Sequence, residues 1–157
     1  MKEYIIEELF DCLNDLKSIA ELVPQPPEGI SRAEMHILYS IYTLNKELST
    51  VKVTDISRKL NIQSPNVIAL VKKLEKQELV SKSADKKDKR VVHVSLTEDG
   101  ARLVEEYVLT YQRMLKEALH DEEEELRILI KNLRKLGRRM EKTKALFIEE
   151  LGGEMYE

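Results

Sequence analysis

The longest departure of this chain from a helical hydrophobic period falls beside its densest run of charge. From Ser64 to about Glu78 the apolar residues Val67, Leu70, Val71 and Leu74 keep the spacing of one helix face. After that, "LVSKSA" and "VVHVSL" alternate apolar and polar residues, the pattern of two half-buried strands. Six consecutive charged residues, Asp85 to Arg90, join the two strands. Such a tip is poor core material and a poor interface centre, but it suits contact with phosphates.

Charge is segregated along the chain. Val51 to His93 hold eleven Lys or Arg against five Asp or Glu, a balance of +6, and the remainder holds fifteen against twenty-four, a balance of -9. Basic charge gathered on one segment of an otherwise acidic protein points to a polyanion-facing module on a separate scaffold. The 157 residues fit one domain with an appended helical element, and 42% hydrophobic residues suffice for a core. No apolar run is long enough for a transmembrane helix, and acids among the first residues are unlike a signal peptide. A single cysteine excludes internal disulfides. The expected compartment is the cytoplasm.

Helical spacing of Ile5, Leu9, Leu13, Leu16, Ile19 and Val23 predicts a first helix ending before Pro24, and "PQPPEG" follows as a rigid connector. Ser31 and Glu34 form a capping-box pattern for a helix reaching about Lys46. "STVKV" reads as a short extended piece, and Thr54 is the expected cap of a brief helix with Ile56 and Leu60 inward. Ser64 is the expected cap of the next helix, with Pro65 at its first position, where the missing N–H costs nothing. Thr97 opens a long helix from Leu103 to Ala118, and "HDEEEE" breaks it before a last helix from Leu126 to Leu151. The terminal helices carry more apolar stripe than a chain of this size can cover, so a second copy is the expected partner.

A short helix, a break, a second helix and a hairpin make the winged helix-turn-helix order, in which the second helix enters the major groove. The fold expected is mainly α: a three-helix core plus a two-stranded wing over 47–97, with helices from 1–46 and 98–157 forming a dimerisation region. Residue chemistry on the second helix agrees. Gln63 and Asn66 can pair with adenine edges, Ser64 can bond bases or phosphate, and Ile68 and Ala69 can lie against thymine methyls, with Pro65 on the same outward face as a further DNA-contact candidate. Lys72, Lys73 and Lys76 can neutralise phosphates, as can Lys86, Lys87, Lys89 and Arg90 on the tip. Asp88 can bond Arg90 or the turn backbone, aiming the arginine at a narrow minor groove. Ser64 equally suits a plain cap, and the lysines a plain solvated face.

With those residues in place, the sequence resembles the MarR (multiple antibiotic resistance) family of transcriptional regulators. "VTDISRKLNIQSPNVIALVKKLEKQELV" matches the helix-turn-helix and "DKKDKRVVHVSLTEDG" the family wing, with Asp85, Asp88, Arg90, Leu96, Thr97 and Gly100 at the patterned positions. The resemblance implies a homodimer with intertwined terminal helices, two winged modules on an inverted repeat of double-stranded DNA, and a small-molecule effector. It implies a ligand-responsive repressor. Ile68 stands where the family often has serine or threonine, Ala69 where it has arginine, and Lys89 where arginine is frequent. The operator is therefore not transferable from a relative.

Other readings are bounded by the same residues. His36, Tyr39, Tyr107 and Tyr111 can line an effector site or simply pack, and none is assigned. Cys12 lies near the first apolar stripe and suits packing as well as redox sensing. His36, His93 and His120 show no metal-ligand spacing, so no metal or cofactor is expected. Five glycines, at 29, 100, 137, 152 and 153, form no phosphate-cradling loop, and no nucleophile motif is present, which argues against an enzyme. A winged helix that binds protein instead of DNA is the alternative, as is a redox- or metal-responsive sensor on the same fold.

Overall fold

The computed structural model describes residues 2–85 and 91–151. The chain divides into two compact units, residues 1–113 and 114–157. The first opens with helix α1 (Glu3–Glu21), followed by α2 (Arg32–Leu44), β1 (Val51–Lys52), α3 (Val53–Leu60), α4 (Ser64–Lys76), β2 (Val80–Ala84), β3 (Val92–Leu96) and α5 (Glu98–Val104). The chain then widens into a π-turn over Glu105–Leu109 and enters α6 (Thr110–Ala118).

Helix α2 is the centre of the first unit. Ile37, Leu38 and Ile41 have no exposed surface, and around them pack Ile56 of α3, Val67, Val71 and Leu74 of α4, one valine from each strand, and Val104 of α5. Its start is the expected capping box: Glu34 N donates to Ser31 Oγ at 3.2 Å, and the Glu34 carboxylate accepts from Ser31 N at 2.8 Å. Helix α1 has no buried residue; Leu9, Leu13 and Leu16 are half-buried, whereas Tyr4 and Phe10 are exposed. Its C-terminal end is held by one side chain. Arg32 donates to the carbonyls of Ala20, Glu21 and Val23 at 3.1–3.3 Å and to the Gln25 side chain at 3.1 Å.

The two expected wing strands pair as a hairpin, and the expected short extended piece joins them as β1 in a three-stranded antiparallel sheet of order β1-β3-β2, where Val51 and Lys52 pair with Val94 and His93. Other expectations are corrected. Thr54 does not cap α3; the Asp55 carboxylate accepts from Lys52 N at 2.9 Å instead, one residue past the expected cap. Ser64 is already helical, behind Gln63 in the capping position, and its hydroxyl donates to Ser57 Oγ at 3.3 Å. The stretch from Leu103 to Ala118 is not one regular helix, since the π-turn adds a residue. Thr110 Oγ1 donates to the Glu105 carbonyl at 3.0 Å, and Arg113 reaches the Glu105 carboxylate at 2.6 Å across the wider turn.

The Leu-Thr-x-x-Gly pattern has a steric basis. Thr97 donates its hydroxyl to the Glu78 carbonyl at 2.7 Å and its N–H to the Leu79 carbonyl at 3.2 Å. The same hydroxyl accepts from Gly100 N at 3.1 Å, capping α5. The first turn of α5 therefore presses against the start of β2, and a Cβ on Gly100 would sit 2.0 Å from the Leu79 oxygen.

In the second unit a short 3-10 turn (His120–Glu122) leads into helix α7 (Glu123–Glu150). At 28 residues α7 spans about 42 Å. None of its residues is buried, and Ile128, Leu129, Leu133, Met140 and Phe147 are exposed apolar side chains.

Gly100→Ala is predicted to destabilise the protein by about 1–3 kcal/mol or more, because a backbone oxygen cannot yield to the added methyl. Urea unfolding followed by circular dichroism measures it. An unchanged midpoint would mean that α5 does not approach Leu79 this closely.

Candidate nucleic-acid interface

The turn between α3 and α4 is built from polar groups that satisfy one another. Asn61 ends α3 in the left-handed region at φ 52°, a conformation asparagine tolerates better than most residues. Ser57 donates its hydroxyl to the Ile62 carbonyl at 2.5 Å and accepts from Ser64 Oγ at 3.3 Å. The Ser64 hydroxyl proton is thus engaged inside the turn, and Pro65 follows in the first helical turn, where no N–H is required.

From that start, α4 buries Val67, Val71 and Leu74 and leaves a continuous opposite face in solvent. Gln63, Pro65, Asn66, Ala69, Lys72 and Lys76 are exposed, and Ile68 is 55% exposed, high for an isoleucine on a helix with a buried side. Ile68, Ser64, Lys82 and Ser83 also face one cleft of about 530 Å³ between the start of α4 and the wing strands. The wing is fastened to the helix by an ion pair, Lys82 Nζ to Glu75 Oε2 at 2.6 Å.

Lys73 differs from its neighbours. Its ammonium lies 3.1 Å from each oxygen of Glu34, whose side chain has no exposed surface. Burial pushes the Glu34 carboxyl up, but bonds from the Ser31 hydroxyl and amide and the nearby Lys73 ammonium outweigh it and hold the group below 4.5, its ordinary value. The amino group expected to meet phosphate thus has a carboxylate partner within the unit, while the Lys73 side chain remains 59% exposed. The sequence offered no signal for this pairing, because 39 residues separate the partners.

At the base of the wing, Asp85 N donates to the Val91 carbonyl at 2.9 Å, and the Asp85 carboxylate meets His93 Nε2 at 2.9 Å. His93, considered above only as a metal ligand, thus braces the strand that leads to the tip. Lys86, Lys87, Asp88, Lys89 and Arg90 lie outside the described residues, so the expected Asp88–Arg90 contact does too.

The remaining candidates are dispersed. The Tyr39 hydroxyl accepts from Gln112 at 2.8 Å and its ring stacks on Tyr42, whereas His36 and Tyr107 are exposed and Tyr111 is half-buried. Cys12 is exposed on α1, not packed as its place near the stripe suggested. Among the described residues no three His, Cys, Asp or Glu side chains converge as a metal site, and no helix is long and apolar enough to cross a membrane.

Comparison with known proteins fits this geometry. Residues 30–100 match the winged helix DNA-binding domain family. The Bacillus subtilis HTH-type transcriptional regulator YsmB is 29% identical over 144 residues, covering 87% of this chain and 96% of that protein. Among solved structures, Streptococcus pneumoniae FabT in complex with DNA superposes with a TM-score of 0.63 at 26% identity, covering 90% of this chain and 98% of that one. A MarR family protein from Bacillus stearothermophilus gives a TM-score of 0.62 at 25% identity, covering 89% and 98%.

Glu34→Gln keeps an acceptor for the capping box but removes the charge opposite Lys73, and is predicted to cost roughly 1–3 kcal/mol at neutral pH. Because the folded carboxyl titrates below its unfolded value, its contribution is present above 4.5 and lost as pH falls through the lower folded value. The stability gap between wild type and variant should therefore close in acid. A gap independent of pH would show that the charge on Glu34 contributes nothing.

Proposed function

This chain is a transcriptional regulator with a winged helix DNA-binding domain and the MarR-type fold, and on that premise we propose that it represses transcription as a homodimer bound to an inverted-repeat operator. The observation that carries the reading is the exposed face of α4, where Gln63, Asn66, Ile68, Ala69 and Lys72 are open to solvent on a helix whose other side is buried. In the proposed complex, Gln63 and Asn66 read adenine edges, while Pro65, Ile68 and Ala69 lie against thymine methyls. Lys72 and the wing residues Lys86, Lys87, Lys89 and Arg90 neutralise phosphates, with Asp88 orienting Arg90. That the FabT neighbour was solved in complex with DNA supports DNA as the partner.

The dimer is proposed on separate grounds. Tyr4 and Phe10 of α1 and Leu129 and Phe147 of α7 are among several large apolar side chains that are exposed, and an isolated helix with such a stripe gains most of its stability from packing. Residues 1–46 and 98–157 supply those contacts in this reading, and 47–97 the DNA-contacting module. The proposed effector is a small molecule, with no residue assigned to it.

Fluorescence anisotropy of a labelled random duplex at two salt concentrations tests the proposal. Binding that weakens on the order of a hundredfold with rising salt is expected for several phosphate contacts. No binding in dilute buffer would favour a protein partner instead. Lys72→Ala should weaken all duplexes alike and lower the salt slope by about one. Arg90→Ala should weaken operator binding by roughly 1–3 kcal/mol, and unchanged affinity would show that the wing does not dock.

A further inference from the structure

Hydrophobic contact fixes how deeply a helix is seated but specifies its rotation weakly, because neither burial nor dispersion has a preferred direction. Helix α4 rests on the narrow stripe of Val67, Val71 and Leu74. Directional bonds flank that stripe. On one side Lys73 meets Glu34 at 3.1 Å, and Gln77 donates to the Gly29 carbonyl at 2.9 Å. On the other side Glu75 meets Lys82 of the wing at 2.6 Å. Both acceptors on the first side belong to the segment that opens α2, the helix at the centre of the core.

The chemistry of Glu34 is unexpected for packing alone. A capping box needs no buried charge, and a buried carboxylate is often replaceable by an apolar side chain without loss of stability, even where, as here, its lysine partner is 59% exposed. What an ion pair adds is a fixed direction. We propose that Glu34 and Lys73 are positioning residues for DNA recognition, holding the rotation of α4 at which Asn66, Ile68, Ala69 and Lys72 meet the groove together. This rests on the DNA-binding reading above and revises it at one point: Lys73 acts through the carboxylate of its own chain, not through phosphate.

Rotation of α4 matters for base edges, which must be met at defined positions, and little for the sequence-independent attraction to phosphates. The test uses the full-length protein and a duplex selected by the wild type from a random-sequence library, beside a scrambled duplex of equal length and composition. Glu34→Gln and Lys73→Met should each lower the ratio of selected to scrambled affinity by about tenfold, the size of losing one good base contact. The scrambled affinity and the salt slope should stay at wild-type values, and Lys73→Arg should restore the ratio. The double variant should fall no further than either single one, because both remove the same constraint.

Three results would overturn the positioning role. One is an unchanged ratio in both single variants. Another is an equal loss by Lys73→Met on both duplexes with a slope reduced by about one, which would make Lys73 a phosphate contact. The third is a common drop on both duplexes for Glu34→Gln, which is what a smaller folded fraction produces. If the wild type itself selects no duplex, the DNA-binding reading fails first, and this inference falls with it.

Discussion

Everything in the first unit depends on the burial of one helix. Ile37, Leu38 and Ile41 of α2 have no contact with water, and each element of the winged module contributes at least one side chain to the surface they form. Burial of this kind is worth about 1.5–3 kcal/mol per large aliphatic side chain. The source is nonlocal, since the residues packed on α2 range from Val51 to Val104. The exposed face of α4 exists because its opposite face is committed to this core.

Apolar packing makes the module compact, and polar fastenings give it direction. The junction at the start of α2 gathers several of them. Ser31 and Glu34 close the helix end, Glu34 and Gly29 hold α4 through Lys73 and Gln77, and Arg32 holds the end of α1 through three carbonyls. Each fastening adds a directional bond to elements held by apolar packing or by the chain connection, and hydrogen-bond geometry is demanding.

The base of the wing shows the same division of labour. Thr97 and Gly100 allow α5 to close on the Leu79 carbonyl, and Asp85 and His93 brace the two strands where the hairpin leaves the core. Val94 is buried beneath the sheet while Val92, two residues nearer the tip, is 36% exposed. Hydrophobic support thus fades along β3, and side-chain bonds take over where it does.

Much was legible in the sequence alone. Period and punctuation located α1, α2, α4, α7 and both wing strands, because amphipathic spacing, proline and capping residues act within a few residues of themselves. Segregated charge pointed to the segment that matches a winged helix DNA-binding domain. The capping box at Ser31 and Glu34 was readable for the same reason.

Only the tertiary structure decided which charges were free and which were engaged. Lys73 and Lys72 are indistinguishable in a helical pattern, yet one faces a buried carboxylate contributed 39 residues earlier and the other faces water. The third strand, the π-turn after Val104, the role of His93 and the need for glycine at position 100 likewise arise where distant segments meet. Local sequence determines which conformations a segment prefers. Which of its polar atoms find partners depends on what the fold brings within 3 Å or so of them, and that distance is set by chain segments far away.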